Sequence, residues 1–281
     1  GRDVAVEDHL GCQLGALMAV AAQHGRDKLT FLIEEPLAAF GGWVEQLIAE
    51  STGKHGVGVL PVVGEPADSP DAEHRLYVVI GDVDLSSFGE EGLPGPSVHL
   101  GVEEPQDMGA QVFLWEFATT IAGVVLGINP FDQPDVESAK LAARGILTNR
   151  SEAPEETGLQ KALEQLRPGD ALVIGAFVDP VFEPELQASR LALGRACGVA
   201  TTLGIGPRFL HSTGQLHKGG PDRMVFVQVV SDDEADVAIP GEPFSFGELK
   251  HAQADGDLAA LQASGKRAFR VSLEELLQAG Q

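Results

Sequence analysis

KLTFLIEEPLAAFGGWVEQLIAESTGKHGVGVLPVV, residues 28–63, is the stretch on which the fold turns. Lys28–Ile33 is a short apolar run with the look of a buried strand. From Leu37 to Glu50 the apolar residues change to helical spacing, with Phe40, Trp43, Val44, Leu47 and Ile48 on one side. Gly53 ends that pattern, and the β-branched run Val57–Val63 follows. Strand, helix and strand in this order predict a parallel pair, because parallel strands need a long crossover between them.

The same grammar extends both ways along the chain. Ala16–Gln23 reads as the end of an apolar helix, and Leu76–Ile80 and Val98–Val102 read as further strands. A helix is predicted over Met108–Leu126, broken by Asn129-Pro130 and restarted over Val136–Ile146. Between Thr148 and Gly158 the composition turns polar without periodicity, which marks a boundary. Beyond it come helix Leu159–Leu166, strand Ala171–Val178, helix Pro184–Cys197 and strands Ala200–Ile205 and Met224–Val230. A helix around Leu258–Ala263 and a strand over Ala268–Val271 close the chain. The expectation is an α/β protein of two consecutive parallel-sheet lobes, 1–150 and 155–281. Glu50-Ser51-Thr52-Gly53-Lys54 in the first lobe is echoed by His211-Ser212-Thr213-Gly214-Gln215 in the second.

Composition narrows the function. Among 281 residues, 19 Lys and Arg stand against 42 Asp and Glu, a net charge of −23. Nucleic acid and anionic membrane surfaces are held by clustered basic residues, so both are excluded as partners. A small phosphorylated ligand is not, since one local cationic pocket can overcome a distant field. Two cysteines, Cys12 and Cys197, make no disulfide framework and suit a reducing, cytoplasmic compartment. The histidines show no metal-binding spacing, so no metal and no cofactor is expected. The apolar stretch Phe117–Ile128 is about half of a membrane span.

Gln46 and Glu50 stand i and i+4 on one helix face. Glu50 falls in the last turn, against the negative end of the helix dipole, where an acid is unfavourable and a base is a candidate reading. Gly53-Lys54 is not a phosphate loop, because Ile48 and His55 occupy the positions of the required Gly and Ser/Thr. No G-x-G-x-x-G follows a strand, and Gly204-Ile205-Gly206 lacks the third glycine. The strongest signal is residues 123–140, GVVLGINPFDQPDVESAK: a helix end, a Pro-broken turn, and a new helix with Asp132 as a candidate N-cap. Gln133 and Lys140 lie two turns apart on it.

This last stretch resembles the second signature of glucose-6-phosphate isomerase: glycine, an apolar pair, four residues, Phe-Asp-Gln, then Val-Glu and Lys. Asp135 departs from the usual Gly or Ala. Gln46-Leu-Ile-Ala-Glu50-Ser51-Thr52-Gly53-Lys54 resembles that family's Gln-x-x-x-Glu-Ser-x-Gly-Lys, and Gly64-Glu65-Pro66 through His74 resembles its Gly-Glu-Pro…His with a longer spacer. The three motifs span residues 25–150. HSTGQLHKGGPD, 211–222, resembles the isomerase part of bacterial proteins that fuse transaldolase to this enzyme.

The resemblance implies a sugar isomerase (SIS-type) lobe followed by a second α/β lobe, and a reaction interconverting glucose 6-phosphate and fructose 6-phosphate. It implies Glu50 as the base that moves the proton between C2 and C1 through a cis-enediol. It implies His74 and Lys140 as the pair that opens the sugar ring, with His74 reaching in from a second subunit of a homodimer. Gln46 and Gln133 are implied to line the substrate site. The family's Gly-Gly-Arg motif and its Ser/Thr-rich phosphate cradle are absent from these residues. The expectation is therefore the C-terminal portion of a longer isomerase, catalytically incomplete alone. The alternative is a non-catalytic sugar-phosphate-binding module, which needs neither a base nor a ring-opening acid. His217-Lys218-Gly219-Gly220 is a glycine-flanked cationic loop with the chemistry to meet a phosphate, or a solvated turn.

Overall fold

The structure, a computed structural model, describes residues 5–104, 106–134 and 154–280. The chain divides into two compact units, Gly1–Gln133 with Gly219–Pro221 and Pro134–Lys218 with Asp222–Gln281. The first holds α1 (Leu10–Gln23), β1 (Lys28–Ile33), α2 (Ala39–Thr52), β2 (Leu60–Val63), β3 (Arg75–Ile80), β4 (Ser97–Leu100) and α3 (Asp107–Leu126). Its sheet runs β2-β1-β3-β4, every pair parallel, with Lys28 opposite both Leu60 and Arg75. The second holds α4 (Leu159–Leu163), β5 (Ala171–Phe177), α5 (Glu183–Cys197), β6 (Ala200–Ile205), α6 (Gly214–Gly219), β7 (Met224–Val230), α7 (Phe246–Ala263), β8 (Arg267–Val271) and α8 (Leu273–Gln278). Its sheet runs β6-β5-β7-β8, again wholly parallel, with Ala171 opposite Ala200 and Met224.

The expected architecture of two consecutive parallel-sheet α/β lobes is the one observed. Strands β1, β3, β5 and β7 are buried along nearly their whole length because both faces of each sheet are covered. In the first sheet α1, α2 and α3 pack on one face, and Leu32, Tyr77 and Val79 on the other meet the loop residues Ala67, Val83, Leu85 and Leu93. β4, at an edge, alternates exposed and half-buried residues instead. The lobes repeat one topology, but not through the echo between residues 50–54 and 211–215. The first segment ends α2, between the first and second strands of its lobe. The second lies between β6 and β7, the second and third strands of the other. The topological counterpart of Glu50–Lys54 is the end of α5, around Arg195–Gly198.

Several boundaries differ from expectation for physical reasons. β2 begins at Leu60 rather than Val57, because Lys54 and Val57 close a tight turn of their own, bonding both ways at 3.0 Å. α1, read from the sequence only at its end, Ala16–Gln23, starts at Leu10, and its Gly11 and Gly15 are close-packing positions. A Cβ on Gly15 would lie 2.2 Å from the Ala118 carbonyl oxygen, and one on Gly11 would lie 2.6 Å from the Phe117 ring. α3 covers 20 residues, one more than the predicted Met108–Leu126, and by length and composition it is long and apolar enough to cross a membrane, although its continuous apolar stretch is about half a span. Within the first lobe it is a packing helix: Trp115, Ala118 and Ala122 are fully buried in the core with Phe31, Val44 and Val78.

Candidate active site

The end of α2 is the centre of a polar cluster in the first lobe. Thr52 fixes that end, donating its hydroxyl to the Ile48 carbonyl at 2.8 Å and accepting from the Val59 amide at 3.1 Å. His55 and Gly56 then form a two-residue turn with positive φ at both, +54° and +80°. A non-glycine residue is uncommon there, and the turn sets Lys54 at the mouth of β2.

Glu50 is half-buried, with one carboxylate oxygen assigned to each of two amides. Gln46 Nε2 donates to Oε2 at 3.4 Å from one turn back on the same helix. Gln133 Nε2 donates to Oε1 from 83 residues further along the chain. A carboxylate has about four acceptor positions, so two donors orient Glu50 and leave it lone pairs for a substrate proton. Lys54 is fully buried, donating to the Asn129 carbonyl at 2.7 Å and pairing with Asp132 at 3.1 Å. Asn129 Oδ1 in turn accepts from the Phe131 amide at 3.1 Å. Asp132, expected as an N-cap, is described by its pair with Lys54. A cleft of about 420 Å³ lies beside this cluster, lined by Leu47, Ser51, Phe113, Thr120 and Phe131 among others. That volume is within the range of small-molecule sites.

Gln46, Glu50 and Gln133 are thus brought together. No described bond joins His74 to them. Its Nδ1 lies 2.5 Å from Asp71 Oδ1 and 3.8 Å from Glu73, in the turn just before β3. An ionised carboxylate only accepts, so Nδ1 carries the proton and Nε2 is the nitrogen left for acid–base work. Asp71 reaches it from a left-handed backbone conformation, φ +71°. Beneath, Arg75 and Glu65 form a buried ion pair at 2.7 Å, and Arg75 also donates to the Pro70 carbonyl and the Thr30 hydroxyl. The Gly64-Glu65-Pro66 and His74-Arg75 ends of that motif are therefore clamped to each other. Lys140 lies outside the described residues.

The position of the cluster corrects one expectation. Open α/β sheets take ligands at the carboxyl ends of their strands, a rule that predicts Glu50, His74 and Lys140 converging on one cleft there. Glu50 instead ends the helix leading into β2, and His74 immediately precedes β3, so both stand at the amino ends. The carboxyl-end cleft exists, about 740 Å³ with Phe31, Ile33 and Val63 in its floor, but it is rimmed by Glu65, Asp68 and Asp84. Hydrogen bonds from Ser86 hold the Asp84 carboxyl below the usual carboxylate range, so it stays ionised. A phosphodianion has no reason to settle there.

The cationic loop in the second lobe is also corrected. His217 and Lys218 are only 6% and 5% exposed. Lys218 is paired with the fully buried Asp257. His217 packs its ring against Phe209 and Phe226. Burial, aided by the Lys218 charge, pushes its pKa down to about 3, so it is neutral near pH 7. Neither side chain faces a solvent phosphate. Sequence reasoning passed over Lys54 as a failed phosphate loop; the available signal was a lysine just past a helix-stopping glycine, where the chain turns into a buried strand.

No protein-family model matches the chain. It is 29% identical over 154 residues to a probable glucose-6-phosphate isomerase of Methanococcus maripaludis, covering 41% of this chain and 35% of that protein. It is 29% identical over 163 residues to the probable enzyme of Halobacterium salinarum, covering 43% and 38%. Over a shorter run of 49 residues, 17% of this chain and 11% of the other, it is 41% identical to the glucose-6-phosphate isomerase of Levilactobacillus brevis. The chain thus spans well under half the length of these curated relatives.

Proposed function

We propose that this chain is the carboxy-terminal, base-bearing part of a glucose-6-phosphate isomerase. The observation that carries the reading is Glu50, oriented by one amide from its own helix and one from 83 residues further along, beside a small-molecule cleft. Its similarity to isomerases of that name supports the same substrate class. In this reading Glu50 takes the proton from C2 of the open-chain sugar and returns it to C1. Gln46 and Gln133 hold its carboxylate in line and line the substrate site. His74, its Nδ1 committed to Asp71, presents Nε2 to the ring oxygen or C1 hydroxyl, and Lys140 is its partner in ring opening. The resemblance to that family calls for a homodimer in which each subunit lends His74 to the other. The compartment is the cytoplasm, and a transaldolase fusion is part of the same proposal. A non-catalytic sugar-phosphate module is the second reading, favoured only by the missing phosphate cradle.

In this reading the phosphate is held by groups outside the described residues, because the Ser/Thr-rich cradle is absent and the described buried lysines Lys28, Lys54, Lys218 and Lys250 are each paired with an acid. Binding energy from a remote phosphate holds the reacting carbons against the base, so its loss lowers kcat as well as raising KM. The test is a coupled assay from glucose 6-phosphate to fructose 6-phosphate, run on this chain and on a form carrying the amino-terminal part of a relative. The chain alone is expected to be inactive. In the active form Glu50→Gln should lower kcat by about 10²-fold or more with KM little changed. Near-full activity of Glu50→Gln would sink the assignment of the base.

A further inference from the structure

We propose that Lys54 is a positioning residue that docks the 129–133 segment on the end of α2 and thereby delivers Gln133 to Glu50. The proposal rests on the reading of Glu50 as the base and adds the element that orients it. Residues 131–134 are all exposed, and Phe131 is 80% exposed, so this segment is not held by burying its own side chains. Pro130 packs on Gly123 at the segment's start. After that, the described bonds that anchor it to α2 and its following turn are the two from the Lys54 ammonium and the one from Gln133. The ammonium is fully buried and reaches across 75 residues of sequence to the Asn129 carbonyl. Its second partner, Asp132, adjoins Gln133.

A buried cation is a costly way to fill space, since desolvation offsets much of what its pairing returns. An apolar side chain would pack the same position more cheaply. What the ammonium adds is direction, because its three donors aim at particular oxygens of one surface segment. Glu50 and Lys54 are separated by one helix-terminal turn, and Asp132 and Gln133 are neighbours. The two bonds therefore close a ring, and opening one releases the other.

The test uses this chain with its glutamine side-chain amides observed by NMR, in wild type, Lys54→Met and Asp132→Ala. Gln46 is the internal control, because it bonds Glu50 from the same helix and needs no help from Lys54. In Lys54→Met the Gln133 amide is expected to move to the position of a solvated glutamine, with solvent exchange rising about tenfold, the scale of a lost hydrogen bond to a charged group. Gln46 is expected to stay in place. In a Lys54→Met that remains folded, Gln46 moving together with Gln133 would overturn the proposal, as would an unchanged Gln133 signal. Should that variant fail to fold, Asp132→Ala decides: the half-exposed Asp132 can be removed safely, and Gln133 must then shift in the same direction. These signals do not depend on turnover. An active Glu50→Gln would thus remove the base assignment while leaving the positioning role standing.

Discussion

The same helix is built twice in this molecule and finished in two ways. α2 and α5 each carry the chain from the central strand of their lobe to the neighbouring edge strand. α5 ends with Arg195 in its last turn and Gly198 in the left-handed conformation, a basic residue and a glycine where the helix dipole and backbone favour them. α2 has no basic residue in its last turn and carries Glu50 there instead. The buried lysines differ in the same sense. Lys218 closes on the fully buried Asp257, whereas Lys54 reaches out to a half-exposed acid and a surface carbonyl. The second lobe is finished for stability. In the first, one helix end is given up to an oriented carboxylate.

The largest test of that contrast is to remove each lysine. Lys218→Met leaves Asp257 buried without its counter-ion, so the second lobe should lose about 3–5 kcal/mol. Lys54→Met leaves behind the half-exposed Asp132 and the carbonyl of the exposed Asn129, both open to water, and should cost about 1 kcal/mol or less. Calorimetric unfolding of both variants checks the ordering, and equal losses would erase the distinction.

Acid should separate the lobes next. His217 has a folded pKa of about 3 against an ordinary 6.5. Between those values the unfolded chain binds a proton that the folded one refuses, so this contribution falls as pH drops from about 6.5 toward 3. Asp257 works the other way: burial raises its pKa against the pull of Lys218, so its own contribution falls as pH rises. The two are told apart by His217→Phe, which should flatten the melting temperature of the second lobe over the acid window. An unchanged slope would mean that His217 does not carry the effect.

The smallest expected effect concerns caps. α7 begins with a capping box, Ser245 and Glu248 each bonding the other's backbone amide, while Ala38 gives α2 no side-chain cap. Ser245→Ala should cost about 1 kcal/mol in chemical denaturation, within the usual range for a lost N-cap. A comparable loss from Ala38→Gly would be unexpected, because no side-chain bond is there to remove.

How far the sequence could be read depended on whether the deciding residues were neighbours. Lys28–Ile33, Ala200–Ile205 and Met224–Val230 are bounded to the residue, since each is an apolar run between turn residues. α7 was foreseen only around Leu258–Ala263, because Gly247, Asp255, Gly256 and Asp257 break the apolar period in its buried face. Its capping box was nonetheless present as Ser-x-x-Glu. In the site, Gln46 and Glu50 are legible as one face of one helix. The arrival of Gln133 at Glu50 is not, nor is the pairing of Lys54 with Asp132, because each is fixed by a tertiary turn between segments far apart. The Lys-Gly-Gly at 218–220 reads as a solvated turn for the same reason: its counter-ion lies 39 residues away.

The close crossing of α1 and α3 has a consequence for how variation in this protein should be interpreted. Gly15 sits where any side-chain carbon would collide with the Ala118 carbonyl oxygen, and backbone cannot step aside as a flexible side chain can. Selection must guard that position as strictly as it guards a reacting group. A survey of tolerated variants would therefore rank Gly15 beside the proposed base Glu50, although one is a matter of fit between two helices and the other, on that proposal, of chemistry. Intolerance alone would not tell them apart; the ångströms between Gly15 and Ala118 do.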